Sequence, residues 1–340
     1  MSSLRSMSIH INCSDIRVVR LLRIGLQRVM RTSRLLCAIA VINCLSLPVA
    51  RAAGAAPAAL KTFLEHEGYG GSALQRRNNH LFVNTVINGN KAALMIDTGC
   101  PFTLIDRNSA HRIGLGLADT KSAVTDIKGS SQPSSVSRIA TLAMGNCTFQ
   151  NVPVAVASEG DINRYAHPYL DGLFGAHEMA KFGMVVDCSR QMLYVDPKGP
   201  SAATSQALAG FLEGRGFVRV PMKFDSGHHL TVDAQVNLRP VKLIVDTGAF
   251  TTVISALYAE GAGASMDSQM SYRGQGIGRL GELRVGDFKV NNAEVYVANI
   301  HEMAGAGLLG EDYLSWNFGI IDLGGMNLYL RSPDAAAKKN

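Results

Sequence analysis

The chain has 340 residues, 47% of them apolar, which suffices for two cores in two domains of about 100 to 150 residues each. Its formal charge of +6 is unevenly spread: eight of the 33 basic residues and only Asp15 among the acids fall in residues 1–52. Residues 53–340 therefore carry 25 basic and 26 acidic groups, net −1, and no polycation remains to bind nucleic acid.

The basic excess belongs to an N-terminal targeting segment. Arg31 and Arg34 precede the apolar run Leu35 to Ala50, and Ala50-Arg51-Ala52 is a small-residue cleavage pattern ahead of Ala53. The run has about 16 residues where a membrane span needs roughly 20. Residues 1–52 are thus expected to be a cleaved signal peptide, with Met30 an alternative start, which places the mature protein in the periplasm or outside the cell. Residues 53–77 read as an Ala-rich tether with a short helix over Leu60 to His66.

Strand patterns begin at Leu81. Leu81-Phe82-Val83 and Thr85-Val86-Ile87 lead into a turn at Asn88-Gly89-Asn90, then into the apolar run Leu94-Met95-Ile96 that ends in Asp97-Thr98-Gly99-Cys100. The pattern recurs 149 residues later: Leu230-Thr231-Val232, a turn near Asn237 to Pro240, and Leu243-Ile244-Val245 ending in Asp246-Thr247-Gly248-Ala249. Each block closes on Thr-aliphatic-Ile, Thr103-Leu104-Ile105 and Thr252-Val253-Ile254. Position-by-position agreement across both blocks indicates a duplicated strand-turn-strand unit. An acid at the end of a strand apolar on both faces is costly to bury alone, and the other copy is its obvious partner. Downstream of each copy lies a second shared element. Gly172-Leu173-Phe174-Gly175 leads to Val186-Asp187 and Leu193-Tyr194-Val195, and Gly307-Leu308-Leu309-Gly310 leads to Ile321-Asp322 and Leu328-Tyr329-Leu330.

Two linked motifs in duplicate resemble the pepsin and retropepsin aspartic peptidases, and the likeness covers nearly all of residues 78–332. The resemblance implies an all-β fold of two pseudo-twofold-related β-barrel lobes around a central active-site cleft. The lobes are expected at 78–198 and 217–332, with 199–216 as linker and 333–340 as a polar tail. It implies Asp97 and Asp246 as a catalytic dyad, Thr98 and Thr247 as groups that interlock the two loops, and Gly99 and Gly248 as points of close backbone approach. The polar stretches 126–138 and 271–279 lead into hairpin patterns and correspond to the family's flap, with Ile127, Gly129, Tyr272 and Gly274 as candidates to lean over substrate. The expected activity is that of a secreted aspartic endopeptidase, and the alternative is a catalytically silent protein that holds peptides in the same cleft. No cofactor and no metal are implied. The expected partner is a peptide or protein substrate, not nucleic acid, and the chain is expected to be a monomer without a stable membrane span after signal cleavage. Cys100 and Ala249 stand where pepsin-like enzymes place Ser; with that hydroxyl missing, the expected optimum is about pH 5 to 6.

Several weaker patterns are set aside. Gly276-Ile277-Gly278-Arg279-Leu280-Gly281 fits a dinucleotide fingerprint but neither follows a strand nor opens a helix. His177-Glu178 and His301-Glu302 lack the second His of a zinc-peptidase helix. His228-His229 is expected in a solvated turn, and Asp187 and Asp322 as turn or hydrogen-bonding acids. Of the cysteines beyond the signal, Cys147 and Cys188 could bridge and leave Cys100 free, or all three could be small buried apolar residues.

Overall fold

The structure is a computed structural model and describes residues 8–9, 56–125, 131–158, 170–196, 198–272, 275–300 and 305–333. The expected signal segment, apart from residues 8–9, and the tail beyond 333 lie outside them. No helix among the described residues is long and apolar enough to cross a membrane.

Each half is built on the same sheet. In the first, strand His80–Ile87 pairs antiparallel with Asn90–Asp97 through a turn at Asn88 and Gly89, both at positive φ as a tight hairpin requires. Asn90–Asp97 then runs parallel to Gly172–Gly175, which is itself antiparallel to Leu104–Asp106. The Gly-Leu-Phe-Gly motif therefore serves as the strand laid between the two ends of the aspartate loop. A further pairing of Ser131–Met144 back onto His80–Ile87 closes the sheet towards a barrel. The second half repeats this with Leu230–Val236, Arg239–Val245, Gly307–Leu309 and Val253–Ser255, and Gln275–Val285 closes back onto Leu230–Val236.

The ends of the aspartate strands, Leu94 to Ile96 and Leu243 to Val245, are apolar because both of their faces are covered, unlike the exposed starts at Asn90 and Lys91 and at Arg239 and Pro240. Leu94 and Ile96 enter the main core, while Met95 turns to a second cluster with Phe82, Cys100, Leu104 and Leu173. Each such fully enclosed side chain contributes about 1.5–3 kcal/mol of transfer free energy, so the loop that follows is anchored by a strand that cannot shift.

A third sheet joins the halves. Val185–Asp187 pairs antiparallel with Ile320–Asp322 across the middle, with Met192–Val195 and Gly70–Ala73 on one side and Asn327–Leu330 and Val218–Phe224 on the other. Alternation again divides the labour: Val186 and Ile321 face the main core, whereas Val185 and Ile320 face a separate cluster with Leu60, Leu64, Leu208 and Leu212. The latter four come from helices Ala56–His66 and Ala202–Glu213, which cover that face and meet through stacked Phe63 and Phe211 rings.

Four expectations are corrected here. Residues 70–77, read as tether, form strands Gly70–Ala73 and Gln75–Arg77, and the linker contains a 12-residue helix capped at its start by Ser201. Much of each polar stretch is strand, Ser131–Met144 and Gln275–Val285, because these hairpins expose residues on both faces and need little apolar content. His229 is only 1% exposed: the strand that starts at Leu230 draws it inward, and His228 alone of the pair is exposed. Of the two readings left open for the cysteines, the structure has the second: Cys100, Cys147 and Cys188 are all buried free thiols, and Cys147 and Cys188 are not bridged.

Candidate active site

Asp97 and Asp246 stand at the ends of their strands, both fully enclosed. Each is held in the same way. Oδ1 of Asp97 accepts the N–H groups of Gly99 and Cys100 at 3.0 Å each, and Oδ1 of Asp246 accepts those of Gly248 at 2.9 Å and Ala249 at 3.0 Å. These bonds leave the Oδ2 atoms outside the backbone network.

The two loops face one another across the pseudo-twofold axis. A Cβ built on Gly99 would lie 2.4 Å from Cγ of Asp246, and one on Gly248 would lie 2.5 Å from Cγ of Asp97. Each glycine thus lies flat against the opposite carboxyl group, at a separation that no side chain would permit. The carboxyl groups are brought together by this crossing, and the effect on Asp246 is plain. Burial first, and then the neighbouring Asp97 charge, push its pKa well above the usual carboxylate range; the N–H bonds from Gly248 and Ala249 oppose the shift without reversing it.

Thr98 and Thr247 tie the loops together. Thr98 Oγ1 donates to the Val245 carbonyl at 2.7 Å and accepts from the Thr247 N–H at 3.0 Å. Thr247 Oγ1 donates to the Ile96 carbonyl at 2.7 Å and accepts from the Thr98 N–H at 3.1 Å. Both threonines are fully enclosed, so all four bonds are shielded from water.

Two further acids support the loops. Glu178 Oε2 accepts from the N–H and hydroxyl of Thr103, both at 3.0 Å, and Asp312 Oδ1 accepts from the N–H and hydroxyl of Thr252, both at 2.8 Å. Sequence reasoning missed this pair. Thr103 and Thr252 keep the 149-residue offset, but Glu178 and Asp312 occupy different positions on their helices, so the duplication does not align them. Glu178 had been noticed only as half of an incomplete zinc motif.

The stretches expected to act as flaps, 126–138 and 271–279, fall where Ala118–Thr125 turns back to Ser131–Met144 and Ser265–Tyr272 to Gln275–Val285, and these strands lead on into the hairpins with Cys147–Ala157 and Phe288–Ala298. Ile127, Gly129 and Gly274 lie outside the described residues, and Tyr272 is described only as the last residue of its strand. The Gly276–Gly281 fingerprint lies inside a strand, which suits no dinucleotide site. Asp187 accepts from the Arg190 N–H and pairs with its guanidinium at 3.1 Å, and Asp322 accepts from the Gly325 N–H at 2.8 Å, both as turn acids.

Comparison with known proteins agrees with this architecture. The aspartyl protease family profile matches residues 83–177, and the gag-polyprotein aspartyl protease profile matches residues 232–316, one on each lobe. Each lobe thus matches an aspartyl protease family, and the pair of matches supports a retropepsin-like aspartic peptidase with two repeats. Among solved structures it is similar to a retropepsin-like aspartic protease from Rickettsia conorii, at 20% identity over 37% of this chain and 90% of that one, with a TM-score of 0.28. It is also similar to an aspartic proteinase from Irpex lacteus, at 15% identity over 80% of this chain and 100% of that one, with a TM-score of 0.47. Basic 7S globulin from soybean is similar at 10% identity over 80% of this chain and 97% of that one, with a TM-score of 0.50, a likeness of fold. No curated protein sequence matches.

Proposed function

We propose that this chain is a secreted or periplasmic aspartic endopeptidase in which Asp97 and Asp246 share one proton and activate a water between them. The observation that carries the reading is the crossed packing of Gly99 and Gly248 against the opposite carboxyl groups. Two enclosed carboxyl groups that feel one another's charge cannot both ionise cheaply, so the pair holds one proton and titrates as a unit. Burial and the neighbouring Asp97 charge raise Asp246, and the shared proton belongs to the pair and not to one residue.

In the reaction, the ionised member of the pair takes a proton from the water as its oxygen attacks the peptide carbonyl, while the protonated member gives its proton to the carbonyl oxygen. The product of this step is a tetrahedral diol with no covalent bond to the protein. Collapse of the diol breaks the C–N bond: the carboxyl group that took the water's proton passes it to the leaving nitrogen, and a diol hydroxyl returns its proton to the other carboxylate as the carbonyl re-forms. The threonine interlock fixes both carboxyl groups before substrate arrives, so little reorganisation is needed during the step.

The test is cleavage of a diverse peptide library by the purified mature protein across pH 3 to 8. Internal cleavage of extended peptides with an optimum at about pH 5 to 6 is expected, since activity follows the apparent pKa values of the pair. A folded protein that binds library peptides and cleaves none would overturn the endopeptidase reading in favour of a silent peptide-binding cleft.

A further inference from the structure

A cluster of four rings joins the second half to the loop that follows Asp97. Phe102 and His177 come from the first half, Phe224 and His228 from the second. The His177 and His228 rings have their centroids 5.4 Å apart and their planes at 89°. His177 also meets Phe102 edge-on at 5.2 Å and Phe224 at 4.5 Å, and His228 lies 6.2 Å from Phe102. The same loop is held from below by the start of helix Ala176–Lys181: the Ala176 N–H donates to the Cys100 carbonyl at 2.8 Å and the His177 N–H to the Pro101 carbonyl at 3.1 Å. The Cys100 N–H in turn donates to Asp97 Oδ1 at 3.0 Å. Two imidazoles therefore meet across the boundary between the halves, against the loop that carries Asp97.

The charged groups around this meeting point are engaged elsewhere. On the helix, Glu178 binds the N–H and hydroxyl of Thr103, and Lys181 stands at the far end. On the second-half hairpin, Lys223 pairs with Asp233 at 3.6 Å, and Asp225 Oδ1 accepts the N–H groups of Gly227 and His229 at 2.8 Å each. That oxygen also lies 3.5 Å from Nδ1 of His229, a buried ring whose pKa burial holds down against the pull of Asp225. Among the described residues no carboxylate pairs with His177 or His228. A proton taken up by one of these rings is thus not neutralised, and a second must enter at a separation inside the Debye length of about 8 Å. Burial first, and then the His228 charge, hold the half-buried His177 ring below its ordinary 6.5.

We propose that His177 and His228 form an acid-sensitive contact between the two halves: neutral, the rings pack Phe102 against the second half; charged, they repel, and the turn 225–229 draws away from the Asp97 loop. Because His177 binds its proton less readily in the folded chain than in the unfolded one, the contact is complete above about pH 7 and is lost as pH falls through 6.5 and below. The moving part is the exposed one: His228 projects from a turn, at φ 68°, where its ring leaves without opening the core. The inference stands on this ring geometry and does not depend on peptidase activity.

The test compares the wild type with His228→Asn, which suits the positive φ of that turn, and with His177→Gln. One readout is the titration of the His177 ring by NMR. In His228→Asn it is expected to rise by a few tenths of a pH unit towards 6.5 without reaching it, since burial remains. The other is hydrogen–deuterium exchange of segment 98–103 at pH 7.5 and pH 5, corrected for the intrinsic pH dependence of exchange. Opening of that segment should rise about 5- to 10-fold in acid in the wild type and less than about twofold in either variant, while segment 247–252 behaves alike in all three proteins. A His177 titration unmoved by His228→Asn, or acid opening of 98–103 equal in the wild type and the variants, would overturn the proposal. If one variant fails to fold, the exchange comparison with the other decides the question.

Discussion

Replacing Thr98 with Val removes one hydroxyl from the contact between the lobes and almost nothing else, since Val keeps the β-branched shape. The hydroxyl donates to the Val245 carbonyl at 2.7 Å and accepts from the Thr247 N–H at 3.0 Å, at a side chain that is fully enclosed. Both partners lose a bond where water cannot replace it. Each such loss costs about 1–3 kcal/mol, so Thr98→Val should lower stability by roughly 2–6 kcal/mol, out of a total that is typically about 5–15 kcal/mol. Thr247→Val removes the mirror-image bonds, to the Ile96 carbonyl and from the Thr98 N–H, and should cost the same within about 1 kcal/mol. Thr98→Ser keeps the hydroxyl and should recover most of the loss. Urea unfolding followed by circular dichroism measures all four proteins. A loss below about 1 kcal/mol for Thr98→Val, or Ser as damaging as Val, would show that the cross-lobe bonds do not hold the loops together.

Three further outcomes follow from buried groups. Burial raises Glu311 from its ordinary 4.5 to about 7 against the opposing pull of Ser315 and Arg76, and raises Asp322 from 3.8 to about 6. Between the ordinary and raised values the folded chain binds more protons than the unfolded one, so stability is full below about pH 4 and declines as pH rises to about 7. For Glu311 the decline is on the order of 3 kcal/mol, and Glu311→Gln should flatten its share of the slope in unfolding midpoints measured at pH 5 and pH 8; an unchanged slope would contradict this. Leu64, fully enclosed between the joining sheet and helix Ala202–Glu213, should cost about 2–5 kcal/mol when changed to Ala, and deletion of residues 53–73 should prevent folding, unlike removal of a detachable pro-segment. Cys100, Cys147 and Cys188 should stay unreactive to a thiol reagent until the protein unfolds, and a reductant should leave the midpoint unchanged; a large drop on reduction would indicate a bridge.

The elements that could be read from the sequence were those whose pattern depends on burial on both faces and on duplication. Leu94 to Ile96 and Leu243 to Val245 are continuous apolar runs because both faces of each are buried, and the Gly-apolar-Gly strands recur because they lie between the ends of each loop. The helix Ala202–Glu213 was obscured by its Ala, Ser and Gly content, which resembles a linker; its signal was the Ser201 cap and the spacing of Leu208 and Leu212. The hairpin strand Ser131–Met144 was hidden because half-exposed hairpins carry polar residues at most positions. Arg76 and Asn79 gave no local signal, since their partners in the second half, Glu311 and the Phe250 carbonyl, are 235 and 171 residues away in the chain.

Whether Asp97 and Asp246 act as one catalytic unit is measured most directly by the rate of peptide cleavage by Asp97→Asn and by Asp246→Asn beside the wild type, at matched folding by circular dichroism. Loss of activity to background in both single variants is predicted, because either amide leaves the pair without its shared proton or without its base. Substantial cleavage by either folded variant would contradict the claim and move the chemistry elsewhere in the chain.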